Sequence, residues 1–90
     1  AVLFHKEVLR LKVPGYLRSQ LLRASSSIAL NLAEGRGRST VPDQRRFFNI
    51  AMGSIRECQS IFDLHDFPRD TVTRLDTLAA STYCLIRSSG

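Results

Sequence analysis

The sequence predicts an all-α fold, an up-down-up-down antiparallel four-helix bundle, and three observations carry that prediction. Apolar residues recur at helical spacing in four separate stretches, and none of them alternates as a strand would. Proline or glycine punctuates the junctions, so the connections are short. No internal repeat is present.

The first helix is expected over about residues 1–12, where Phe4, Val8 and Leu11 share a face and Lys6, Glu7, Arg10 and Lys12 turn away. Pro14 and Gly15 break it. The second helix is expected over 16–34, with Leu17, Leu21, Ala24, Ile28 and Leu32 on one face. Leu22, Ala29 and Ala33 widen that face, which suits a helix touching two or more neighbours. Ser25, Ser26 and Ser27 are poor helix-interior residues, yet they are small enough to let helices approach closely. Gly35 and Gly37 are expected to end this helix, Gly35 in the left-handed conformation.

The third helix, 41–64, has the clearest start. Thr40 caps it, Pro42 sits in the first turn where a missing N–H costs nothing, and Asp43 completes a variant capping box. Phe47, Phe48, Ile50, Ala51, Ile55, Cys58, Ile61 and Phe62 give it a wide apolar face. Gly53 in its middle costs roughly 1 kcal/mol relative to Ala, which predicts a close helix contact there. After a break at His65 to Pro68, the fourth helix is expected over 69–87, with Val72, Leu75, Leu78, Ala79, Leu85 and Ile86 inward. Ser88, Ser89 and Gly90 read as a frayed end.

Ninety residues are one domain by size, and so short a chain buries only about 60–65% of its unfolded surface. Association between copies would add the missing burial, so a homo-oligomer is expected. The apolar runs are too short for a membrane span, and no secretory signal is expected from these residues. The first residue is not Met and the helical pattern already runs at Val2, which places the expected native start upstream. Cys58 and Cys84 sit at no metal spacing, and on antiparallel helices they would be offset by about 9 Å at 1.5 Å rise per residue. Free thiols in a reducing cytoplasm are expected.

Catalytic chemistry finds little support. His5 and His65 belong to no two-histidine or His-Glu motif, and the serines form no nucleophile elbow. Cys58, His65 and Asp66 lack the further partners a metal would need. The chain is therefore expected not to be an enzyme and to hold no cofactor. Gln20, Asn31 and Glu34 are polar positions in or beside an otherwise apolar helix, and they are expected to form a hydrogen-bond network that fixes helix register, with Arg38 a further partner for Glu34.

Charge is more informative. Thirteen basic residues against eight acidic ones give a net charge of +5, and eleven of the thirteen are arginine, the residue suited to bidentate phosphate contacts. Arg36, Arg38, Arg45 and Arg46 bracket the junction between the second and third helices, with Arg23 three turns earlier. The N-terminus of the third helix would add donors, while Glu34 and Asp43 would neutralise part of the patch. No aromatic platform is expected among these arginines, so any binding to RNA or DNA would be backbone-driven and salt-sensitive.

The segments Gln20-Leu21-Leu22-Arg23-Ala24, Ser27-Ile28, Asn31-Leu32-Ala33-Glu34-Gly35, Gly37-Arg38, Phe47-Phe48-Asn49-Ile50-Ala51 and Gly53-Ser54 resemble the bacterial family of 23S rRNA intervening sequence proteins. The resemblance implies a four-helix bundle that assembles as a ring-like homopentamer. That family is similar to the accessory proteins of diversity-generating retroelements, which implies a basic barrel binding nucleic acid and a reverse transcriptase. Ala29 stands where the family often has proline, Met52 where a basic residue is common, and the segment from Lys12 to Gln20 is shorter than usual. Two functions are therefore expected: phosphate-directed binding of nucleic acid, or a scaffold for a partner protein such as a reverse transcriptase.

Overall fold

A computed structural model describes residues 1–88. They form four helices: α1 (Val2–Arg10), α2 (Gly15–Gly37), α3 (Val41–Leu64) and α4 (Arg69–Ser88). Each helix packs on its neighbour in the chain, and α1 meets α4 to close the bundle. Across one diagonal the side chains of Phe4 and Phe62 still meet edge to face, 6.2 Å apart. The bundle measures 40 × 19 × 19 Å.

Leu11 leaves the first helix in an extended conformation, and Pro14 then presets the entry to α2, where its carbonyl accepts from the Leu17 and Arg18 amides at 2.9 Å. Arg18 reaches back to the open carbonyls of α1, donating to Leu11 O at 3.0 Å and Leu9 O at 3.2 Å. The basic side chain thereby satisfies acceptors that the end of a helix leaves free. At the start of α3, the Asp43 amide donates to Thr40 Oγ1 at 3.3 Å, with Pro42 in the first turn.

Phe4, Val8, Leu17, Leu21, Ala24, Ile28, Leu32, Phe48, Ala51, Ile55, Cys58, Ile61 and Leu75 make one contiguous core. Three hydroxyl residues, Ser25, Thr71 and Thr82, are also fully buried. Ser25 Oγ donates to Leu22 O and pairs with His5 Nδ1 at 2.7 Å, and Thr82 Oγ1 donates to Leu78 O. Thr71 Oγ1 donates to Glu7 Oε1, while Arg74 pairs with the second oxygen of Glu7 at 2.9 Å and so ties α1 to α4. Among the described residues no buried side-chain nitrogen or oxygen lacks a partner.

The glycines differ from expectation. No glycine among the described residues has a positive φ, so Gly35 is not a left-handed terminator; α2 continues through it to Gly37, and Arg38 makes the extended exit. Gly35 is instead a point of close approach between α2 and α3. A Cβ there would lie 2.5 and 2.7 Å from two ring carbons of Phe48 and 3.2 Å from the Gln44 carbonyl oxygen. The close contact expected at Gly53 is absent, because Gly53 is exposed and a Cβ there would meet nothing within 4 Å. Helix α4 also extends through Ser88, whose hydroxyl donates to Leu85 O at 3.3 Å, rather than fraying there. Ser89 and Gly90 lie outside the described residues.

Candidate nucleic-acid interface

Three residues, Arg38, Ser39 and Thr40, turn the chain from α2 into α3. The turn is pinned from α3 by Gln44, whose Nε2 donates to Arg38 O at 3.0 Å. Two adjacent phenylalanines follow. Successive helical positions point about 100° apart, so both cannot face the core. Phe48 fills the space under Gly35, and Phe47 rolls to the side, half-buried.

Phe47 is the centre of the basic corner. The Arg38 guanidinium carbon lies 4.7 Å from its ring centroid and that of Arg46 lies 4.9 Å away, both within cation–π range. An aromatic ring therefore does stand among the arginines, contrary to the sequence-based expectation. It already carries two guanidiniums against its ring. Arg38 is also held by Glu34, Nη2 to Oε2 at 3.0 Å, with both side chains about half exposed.

The other predicted residues are distributed differently. Arg45 is exposed on the first turns of α3 beside Arg46. Arg36 is exposed on the last turn of α2, just before the junction. Arg23 pairs with Glu57 at 3.3 Å and lies about 20 Å along α2 from Arg36 at 1.5 Å per residue. It stands apart from the corner.

Helix α3 contributes fewer donors to an anion than its N-terminus promised, since Pro42 has no N–H and the Asp43 amide is taken by Thr40. Four guanidiniums face two carboxylates, Glu34 and Asp43, which leaves the junction cationic. Any phosphate here meets side chains first.

The polar residues of α2 form no single network. Asn31 Nδ2 donates to Ser27 O at 2.9 Å and to Ser27 Oγ at 3.1 Å, and Ser54 of α3 donates to the same Ser27 hydroxyl at 2.8 Å. That Asn31, Ser27 and Ser54 chain links α2 to α3. Gln20 is exposed and takes no part in it, and Glu34 is on the surface with Arg38. Ser27 and Ser54 were the missed partners.

Elsewhere, His5 is engaged with Ser25, and His65 is exposed with its ring edge-on to Phe67 at 5.7 Å. Cys58 is buried and Cys84 exposed, and both are free thiols. Burial, and then the Glu57 charge, push the Cys58 thiol up to about 12, so it carries no thiolate at neutral pH. Among the described residues no three His, Cys, Asp or Glu side chains converge to hold a metal ion. Among them, too, no helix is long and apolar enough to cross a membrane.

The family model described as 23S rRNA-intervening sequence protein matches residues 6–67, from the middle of α1 to the turn before α4. The chain belongs to this family. Searches of curated proteins and of solved structures found no match. The matched span contains every part of this family member's basic corner: the end of α2, the three-residue turn and the start of α3.

Proposed function

We propose that the chain is a non-enzymatic, cytoplasmic four-helix bundle that self-associates and binds RNA through phosphate contacts at Arg36, Arg38, Arg45 and Arg46. The observation that carries this reading is the convergence of Arg38 and Arg46 on Phe47 at a turn with surplus positive charge. Family membership supports RNA over other polyanions, since the family is described by an intervening sequence of ribosomal RNA. Self-association is supported by α2 itself. Leu30 is 67% exposed and Ala33 is exposed, on the side of the helix away from the core. The resemblance suggests five copies.

Binding of the full chain to a labelled generic RNA at low salt tests the reading. Changing Arg36, Arg38, Arg45 and Arg46 together to Ala should weaken binding at least about tenfold while leaving the helical circular dichroism unchanged. Failure of the wild-type chain to bind RNA at low salt would overturn it. If a nuclease-treated preparation instead retains one stoichiometric protein partner, such as a reverse transcriptase, the scaffold reading replaces it.

Glu34 competes with phosphate for Arg38 on this account. Glu34→Gln removes one negative charge from the corner and frees a guanidinium edge, so RNA affinity should rise about twofold to fivefold at low salt. Unchanged affinity in the same titration would remove Arg38 from the contact set.

A further inference from the structure

Phe48 is explained by the core and Phe47 is not. A half-buried ring with two arginines on it, one from each side of a tight turn, is an arrangement that core packing alone does not demand. We propose that Phe47 is a positioning residue that holds Arg38 and Arg46 as a two-guanidinium grip for a phosphodiester backbone. The proposal rests on the RNA-binding reading and gives that site its organiser and its ligand class.

A free arginine side chain loses much rotamer freedom when it settles on a phosphate, and a ring that already restrains it removes part of that loss. A guanidinium held over a ring still carries its N–H donors in its own plane, so contact with the ring and donation to phosphate oxygens are compatible. Cations already lie over the ring, which disfavours its use as a stacking surface for a base. The grip therefore reads phosphate and not base identity. Glu34 holds one edge of Arg38, whereas Arg46 pairs with no carboxylate among the described residues and is the more available donor.

The test uses the full chain with labelled oligouridine and labelled oligoadenine at low salt. Phe47→Leu removes the ring at similar bulk and unchanged net charge, and Phe47→Tyr keeps the ring. Phe47→Leu should weaken binding of both oligonucleotides by a similar factor, about fivefold to tenfold, and Phe47→Tyr should stay within about twofold of wild type.

A second readout needs no RNA. The Nε–Hε NMR resonances of Arg38 and Arg46 should be displaced by the ring current in the wild-type chain, and should move toward free-arginine positions in Phe47→Leu. Wild-type affinity in Phe47→Leu, equal losses in the Leu and Tyr variants, or undisplaced arginine resonances in the wild type would each overturn the positioning role. The double variant Arg38→Ala/Arg46→Ala separates the two levels. If it loses binding while Phe47→Leu does not, only the positioning role fails; if it binds as wild type, the RNA reading at this corner fails with it.

Discussion

Gly35→Ala should destabilise the bundle by about 1–3 kcal/mol, and the same substitution at Gly53 should stabilise it by about 0.5–1 kcal/mol. Both glycines lie inside helices at negative φ, so the gain in helix propensity over glycine applies equally to each. The difference is what the new methyl meets. At Gly35 it would overlap two ring carbons of Phe48, itself buried in the core, and press on the Gln44 backbone carbonyl, which cannot retract without moving α3. At Gly53 it meets nothing. Urea unfolding of the two variants checks the contrast, and two changes of the same sign would show that α2 and α3 do not approach as described.

Ile28→Ala should cost about 3 kcal/mol, within the usual range for a fully buried isoleucine, and lower the melting temperature by on the order of 12–24 °C. Ile28 has no exposed surface and belongs to the core cluster to which all four helices contribute. A domain of this size has only about 5–15 kcal/mol of stability in all, so the loss is a large fraction. The neighbouring Leu30, two thirds exposed, provides the control: Leu30→Ala should leave monomer stability nearly unchanged and act on self-association instead. Thermal melts at several protein concentrations separate the two effects.

Much of this architecture can be read from the sequence because its signals are local. Thr40, Pro42 and Asp43 mark the start of α3 through capping chemistry that spans four residues. The spacing of Leu17, Leu21, Ala24, Ile28 and Leu32 identifies the buried face of α2 for the same reason. What depends on a distant neighbour is not local. Glycine serves either a positive φ or a close approach, and nothing near Gly35 or Gly53 in the chain says which: Gly35 makes the close approach, and Gly53 makes neither. The buried hydroxyls of Ser25, Thr71 and Thr82 are satisfied by carbonyls one turn back or by side chains of α1, which hides them from a hydropathy pattern.

The candidate site divides in the same way. The arginines flanking the turn are visible as a cluster, but their partition is not. Arg36 and Arg45 are exposed beside the turn, Arg23 goes to Glu57, and Arg38 and Arg46 meet on a ring. A signal for that ring was present in the Phe47-Phe48 pair, since one helix cannot turn two adjacent side chains into one core. Asn31 likewise finds its partner one turn back, at Ser27, whose hydroxyl accepts from Ser54 across the helix contact, rather than at Glu34.

The account stands on phosphate contact at the α2–α3 corner, and the salt dependence of RNA binding tests it most directly. Each phosphate neutralised on a single strand contributes about −0.7 to the slope of log Kobs against log salt, so four arginines contribute about −3. Measured over a salt series, the wild-type slope should exceed that of the Arg36→Ala/Arg38→Ala/Arg45→Ala/Arg46→Ala variant by about 3 per engaged corner. Parallel lines of equal affinity would contradict the account.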